Sequence, residues 1–337
     1  MLKEDILALN IKHSFAMPGH KGELSCHDIT EIYGADDLRE PNGILKAVED
    51  NLAIAFNSYK SYISVQGSTL GNFAMVYSAY LTYPNKKRVL TNANPHISII
   101  NICKVLGLEL VISDDIIIDK DTLCVILTYP TYFGNCISNI EEIIAQAHLQ
   151  NIPVFIDNAH GAHFAFSDKL PKTPMELGCV AAAEGNPAKQ GIDASVTSVH
   201  KTLPCLGQTA VINLSHNSLV SEDTMKEAIN IFQTTSPSYL LMSSIDSGVR
   251  YMQAEGKERL NWLIERCNKI RDKYKHILTD DPTKIVLINP DLDKLHRAGI
   301  WEERIENHKV LFLPSVANTD EDFEALEDNF QSLSGSI

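Results

Sequence analysis

Four short runs in this 337-residue chain set chemically useful side chains just beyond predicted strands. Open α/β sheets bind ligands in the crevice at the carboxyl ends of their strands, so the four runs belong together. After SYISV (61–65) comes Gln66-Gly67-Ser68-Thr69-Leu70-Gly71-Asn72. Backbone N–H groups at a helix N-terminus, with two hydroxyls beside them, make a cradle for a phosphate group. The plain alternative is an ordinary Ser or Thr helix cap. After PVFID (153–157) comes Asp157-Asn158-Ala159-His160-Gly161-Ala162-His163. A carboxylate there can pair with a protonated heterocycle nitrogen and keep it cationic. It can equally be a turn aspartate with two structural histidines, or, with those histidines, a loosely spaced metal site lacking further ligands nearby in sequence. After ASVTSV (194–199), the run Ser198-Val199-His200-Lys201-Thr202-Leu203-Pro204 ends a strand in a lysine. Beside a phosphate-binding serine, a lysine can act as an amine nucleophile, although a lone lysine at a strand end is usually just surface charge. His96, after Asn94-Pro95, can stack on a flat ring or simply start a helix. In this order the runs describe one site: phosphate cradle, ring partner, acid for a ring nitrogen, then an amine.

The elements that must position these residues alternate. SYISV, RVLTN, LELVIS, CVILTY, PVFID, ASVTSV and TAVINL read as strands, with helices over 68–80, from near His96, and in IEEIIAQAHL. Apolar strands alternating with amphipathic helices predict an α/β fold with a mostly parallel sheet covered on both faces. The opening forty-odd residues are turn-rich, punctuated by Pro18-Gly19-His20-Lys21-Gly22 and Pro41-Asn42-Gly43, and a helix follows through LKAVEDNLAIAF. A connecting helix is expected over 255–278, then two strands, KIVLI and KVLFL, and an acidic helix over 319–330, which together predict a small α+β cap. The expected domains are an N-terminal segment (1–45) over the active site or a dimer interface, a large domain (46–254), and a small C-terminal domain (255–337).

Composition narrows the class. The 29 basic and 43 acidic residues give a formal charge of -14, which argues against nucleic acid or an anionic membrane as partner. The seven cysteines (Cys26, Cys103, Cys124, Cys136, Cys179, Cys205 and Cys267) show neither a disulfide framework nor zinc spacing. MLKEDILALN carries acids and is not a signal peptide, and no apolar run is long enough to span a bilayer. The expectation is a reduced, cytoplasmic protein acting on a small molecule.

Phe15-Ala16-Met17-Pro18-Gly19-His20-Lys21-Gly22, Gly34-Ala35-Asp36-Asp37-Leu38, Gly67 to Asn72, Pro130-Thr131-Tyr132-Phe133-Gly134, Asp157 to His163, Ser198 to Leu203, Thr235-Ser236-Pro237-Ser238-Tyr239 and Asp281-Pro282-Thr283-Lys284 together resemble the Orn/Lys/Arg decarboxylase family. The PGHKG and SxHKTLP runs are the most specific. The resemblance implies a large domain of the pyridoxal 5′-phosphate-dependent transferase fold (aminotransferase fold type I). It implies a Schiff base between the cofactor and Lys201, with Asp157 on the pyridine nitrogen and His96 stacked on the ring. Ser68, Thr69 and Ser198 would hold the phosphate, with Gly67 allowing close backbone approach. Ala159 would lie on the other ring face, His160 would line the cofactor, and His200 would stand beside the reacting carbon as proton donor. Thr235 and Ser236 would reach the cofactor of a second subunit in a homodimer.

The implied activity is decarboxylation of a basic amino acid, with arginine ahead of lysine and ornithine. Two alternatives stay open: another pyridoxal phosphate reaction such as aminotransfer, lyase or aldolase chemistry, and a non-catalytic paralogue that regulates a partner subunit. The chain also departs from the family pattern. His96-Ile97-Ser98 replaces the usual HKS, and Asn158 replaces the glutamate of DEAHGAH. The stretch between Leu110 and Cys124 is short, so a connecting helix is expected to be missing there. The chain ends soon after NTDEDFEAL, and it is expected to be a short form without most of the family's C-terminal domain or its N-terminal wing.

Overall fold

The structure, a computed structural model, describes residues 1–178 and 191–329, so Cys179 and the end of the expected acidic helix at Phe330 lie outside the described residues. The other six cysteines are free thiols. A helix, α1 (Leu2–Ala8), precedes the turn-rich arm, and α2 (Ile44–Ala55) follows it. The central sheet comprises β1 (Lys60–Ser64), β2 (Arg88–Thr91), β3 (Glu109–Ile112), β4 (Thr122–Thr128), β5 (Val154–Asp157), β6 (Ala194–Thr197) and β7 (Ala210–Leu214). Its order is β1-β7-β6-β5-β4-β2-β3. The five strands β6, β5, β4, β2 and β3 run parallel, whereas β7 is antiparallel to both of its neighbours.

Both faces of the sheet are covered, which is why its strands read as continuous apolar runs. Along β4, Cys124 and Ile126 face one layer while Val125 and Leu127 face the other. The first layer is α3 (Gly67–Thr82), α4 (Ile97–Leu106) and α7 (Glu222–Phe232). On the second, α5 (Ile140–His148) buries Ile140, Ile143, Ile144 and Ala147, the spacing of one helical face. The connection between β3 and β4 holds no helix, as expected, and its Ile116 and Ile118 pack over that same layer.

The expected helix over 255–278 is instead α8 (Tyr239–Lys273), which starts 16 residues earlier and runs through the boundary drawn at residue 255. Ser238 caps it, and Met242, Ile245, Val249, Met252, Leu260, Leu263, Cys267 and Ile270 form one unbroken apolar stripe. Gly248 sits within the stripe without breaking the helix, because a Cβ there would come 2.3 Å from Cys205 Sγ. Beyond a four-residue helix, α6 (Val199–Thr202), and α8, the chain forms β8 (His276–Ile277), β9 (Ile285–Ile288), α9 (Leu292–Arg297), β10 (Arg304–Glu306), β11 (Lys309–Phe312) and α10 (Asp320–Asn329). Its sheet, β10-β11-β9-β8, is antiparallel throughout. The sequence predicts β9 and β11 but not β8 or β10, which are short and bury no residue. Among the described residues, no helix is long and apolar enough to cross a membrane.

Candidate active site

The site forms where β5 and β6 end and α3 begins. Gly71 brings these elements together, since a Cβ at this position would stand 2.3 Å from Val196 Cγ2 on β6. That close approach puts Ser68 Oγ 2.6 Å from Ser198 Oγ, although the two residues are 130 positions apart. Gly67, with φ +70, turns the chain into α3, and its N–H is held by the Gln208 carbonyl at 2.7 Å. A Cβ on Gly67 would meet nothing within 4 Å, so open space lies beside this turn. The hydroxyls and the free N–H groups of the first turn of α3 form a cradle for an anion.

Asp157 ends β5 fully buried, and its two carboxylate oxygens are fixed separately. Oδ1 accepts from the Ala159 N–H at 3.1 Å and Oδ2 from Asn72 Nδ2 at 2.8 Å. The same Asn72 nitrogen donates to Ser98 Oγ at 2.9 Å, and Ser98 Oγ lies 2.8 Å from His96 Nδ1. His96 is the N-cap of α4 and stands exposed at the rim. Neither Asn72 nor Ser98 was singled out from the sequence; Asn72 lies in the quoted cradle run, one helical turn beyond Ser68 and hence on the same face.

Lys201 lies in α6, and its Nζ is 3.0 Å from His160 Nε2. Burial pushes the amine below the ordinary lysine value, while the charges of Asp157 and Glu303 work to hold it up. Burial, followed by the charges of Lys284 and Lys201, pushes His160 well down. His160 is therefore neutral and accepts from the Lys201 amine, and its buried Nδ1 has no partner. Its ring packs on Tyr132, with centroids 4.5 Å apart. The Tyr132 phenol donates to Glu303, and burial followed by that carboxylate pushes the phenol up to about 12. The Arg304 guanidinium lies 4.9 Å from the Tyr132 ring centroid.

Behind Tyr132, the fully buried Lys284 donates to its carbonyl at 2.8 Å. Asp281 pairs with His163 at 3.1 Å and accepts the Thr283 N–H at 3.0 Å. His163 is thus bound to the Asp281-Pro282-Thr283-Lys284 turn while His160 faces Lys201, so the two histidines serve different partners. His200 sits next to Lys201, and its Nδ1 donates to the Thr209 carbonyl at 2.8 Å, which leaves Nε2 free.

The structure thus links Ser68 to Ser198, His96 to Asp157 through Ser98 and Asn72, Asp157 to Ala159, and Lys201 to His160, with Gly67, Thr69 and His200 next to them in the chain at the same strand ends and helix starts. Thr235 and Ser236 lie outside these links, exposed in the segment between α7 and α8. That segment is nonetheless tied to the cradle by Gln66, whose Oε1 accepts the Thr234 N–H at 2.6 Å and whose Nε2 donates to the Phe232 carbonyl at 3.0 Å. Sequence reasoning missed Glu303, the acid that accepts from Tyr132. Glu303 is 102 residues from Lys201, in a surface stretch of alternating charge that carries no motif.

Comparison with known proteins agrees with this geometry. Residues 113–294 match the family profile described as "Orn/Lys/Arg decarboxylase, major domain". An arginine decarboxylase of Bacillus cereus is 28% identical over 382 residues, covering 96% of this chain and 79% of the relative. The constitutive lysine decarboxylase of Escherichia coli superposes with a TM-score of 0.72 at 16% identity, covering 97% of this chain. This chain spans 59% of the length of that enzyme. A serine palmitoyltransferase solved with its pyridoxal phosphate superposes with a TM-score of 0.59 at 15% identity, over 84% of this chain and 74% of the other. These likenesses place the large domain in the aminotransferase fold type I, and with the profile spanning more than half of its length, the chain belongs to the Orn/Lys/Arg decarboxylase family.

Proposed function

We propose that this protein is a pyridoxal 5′-phosphate enzyme that removes carbon dioxide from a basic amino acid, arginine ahead of lysine and ornithine. The residues suit the cofactor. Open space beside Gly67 and the paired hydroxyls of Ser68 and Ser198 suit a phosphate, with Thr69 on the same turn. Asp157 keeps lone pairs free for a ring nitrogen, His96 and Ala159 would lie against opposite faces of the ring, and Lys201 offers a depressed amine. Bound there, the cofactor supplies an electron sink for the bond to the substrate's carboxylate.

The chain supplies the rest. Lys201 would hold the cofactor through its amine. His160 accepts a hydrogen bond from the Lys201 amine and keeps it directed. His200 delivers a proton from Nε2 only in its doubly protonated form, because its Nδ1 proton is held by the Thr209 carbonyl. A second copy of the chain would add Thr235 and Ser236.

The single observation that carries a basic substrate is a carboxylate held near Lys201: Glu303 accepts from Tyr132, whose ring packs on the His160 that meets the Lys201 amine. Asp157 is committed to the ring nitrogen, which leaves Glu303 for a substrate cation. The test is to load the protein with pyridoxal phosphate and screen amino acids for carbon dioxide and amine. Amine from arginine, lysine or ornithine supports the proposal. A keto acid formed without carbon dioxide would mean aminotransfer. Cofactor binding without turnover on any amino acid would favour a regulatory paralogue. In Lys201→Ala, both the bound-cofactor absorbance and the turnover are expected to vanish.

A further inference from the structure

A chain of three hydrogen bonds joins the two residues expected to meet the cofactor ring. His96 Nδ1 lies 2.8 Å from Ser98 Oγ, and Asn72 Nδ2 donates to Ser98 Oγ at 2.9 Å and to Asp157 Oδ2 at 2.8 Å. Asn72, Ser98 and Asp157 are all buried.

Donor and acceptor chemistry fixes the direction of every bond. A carboxylate only accepts, so the Asn72 group facing Asp157 is the amide nitrogen, and its two hydrogens are spent on Asp157 and Ser98. Ser98 Oγ receives one of them and directs its own proton to His96 Nδ1. The Ser98 backbone N–H also points at Nδ1, from 3.2 Å. A proton on Nδ1 would face that N–H head-on and leave the Ser98 hydroxyl without an acceptor.

We propose that Asn72 is a positioning residue that locks Asp157 and, through Ser98, sets the neutral His96 ring to carry its proton on Nε2. One amide thereby orients both the acid at the ring nitrogen and the imidazole on the ring face. The ring roles of Asp157 and His96 rest on the proposed function, whereas the tautomer does not.

The test begins on the full chain without cofactor, labelled with 15N-histidine in alkaline buffer, with the His96 signals assigned by their loss in His96→Gln. The expected result is an unprotonated Nδ1 and a protonated Nε2, with a measurable Nδ1-protonated share arising in both Ser98→Ala and Asn72→Ala, kept a minority by the residue-98 backbone N–H that still faces Nδ1. A protonated Nδ1 in the wild type, or a tautomer unmoved in Ser98→Ala, would overturn the proposal. The second arm titrates pyridoxal phosphate and follows its absorbance. Loss of a hydrogen bond to a buried carboxylate should weaken binding in Asn72→Ala about tenfold or more. Asn72→Asp should bind more weakly still, because two carboxylates would then compete for one proton. Ser98→Ala leaves Asp157 held and should weaken binding less than Asn72→Ala does. If the buried Asn72 variants do not fold, the wild-type tautomer and Ser98→Ala still decide. Equal affinity in Asn72→Ala would refute the link to Asp157. Failure of the wild type itself to bind pyridoxal phosphate, with the Nε2 tautomer present, would count against the proposed function and leave the tautomer assignment standing.

Discussion

The two walls of the crevice are built in opposite ways. The inner wall, Gly67 to Asn72, His96, Asp157 and Ser198, comes from strand ends and helix starts of one sheet, and direct hydrogen bonds of 2.6–2.9 Å tie its side chains together. The outer wall, Tyr132, His160, Lys284, Glu303 and Arg304, is gathered from four separate segments, two of them in the small C-terminal unit. Its parts meet by ring packing, by charge and by hydrogen bonds that reach across separate segments, from Tyr132 to Glu303 and from Lys284 to the Tyr132 carbonyl. A rigid sheet edge suits chemistry common to every substrate. A wall contributed by exposed residues of a second unit can be altered without disturbing that chemistry, so it suits discrimination among substrates.

The largest expected effect tests the inner wall. Asp157→Asn keeps the shape but removes the charge that a protonated ring nitrogen needs. Loss of one such preorganised electrostatic partner should cost about 100- to 1,000-fold in kcat. The loss should be uniform across arginine, lysine and ornithine, measured as kcat and KM for each. A loss confined to one amino acid would show that the inner wall also reads the substrate, and the contrast between the walls would fail.

The same contrast explains what the sequence makes legible. The inner wall follows from motifs because each of its residues lies at a strand end, and α/β topology gathers strand ends into one crevice. Gly71 and Asn72 needed only the helical period to be placed on the face of Ser68. The outer wall depends on where the small unit docks, which no local pattern encodes. Glu303 and Arg304 sit in or beside β10, a strand that buries no residue and so has no apolar alternation to announce it. The early start of α8 was hidden for a related reason: Ser243, Ser244, Asp246, Ser247 and Gly248 are poor helix formers locally, and burial of the stripe around them overrides that preference.

An intermediate effect belongs to Glu303. Glu303→Gln leaves Asp157, Asn72 and the cradle intact, but removes a charge from the Tyr132 phenol and from the space before Lys201. A charge-assisted hydrogen bond to the substrate's cationic end is worth about 1.5–3 kcal/mol, so KM for a basic amino acid should rise roughly 10- to 100-fold. Because this interaction exists equally before and during bond cleavage, kcat should change little. An Asp157→Asn effect on kcat paired with a Glu303→Gln effect on KM would sharpen the division. A fall in kcat alone for Glu303→Gln would place that carboxylate with the chemistry and dissolve it.

The smallest effect reaches the support behind the outer wall. Lys284 is fully buried, and burial lowers it from 10.5 to about 8, against the pull of Asp281 and aided by the charge of Lys201. Its folded value lies below its unfolded value, so between about pH 8 and 10.5 the unfolded chain binds a proton that the folded chain does not. The contribution of this group to stability should therefore rise with pH across this window, by an amount on the order of 3 kcal/mol. Lys284→Met abolishes that increment while leaving Lys201, whose shift has the same sign, to contribute in both proteins. The measurement is the urea midpoint of each protein at several pH values through the window, and the prediction concerns the difference between their slopes. The variant also leaves the Tyr132 carbonyl without its donor, which shifts its midpoint by an offset independent of the slope. Parallel slopes would mean that the Lys284 ammonium is solvated in solution, and the outer wall would then stand on Asp281 and His163 alone.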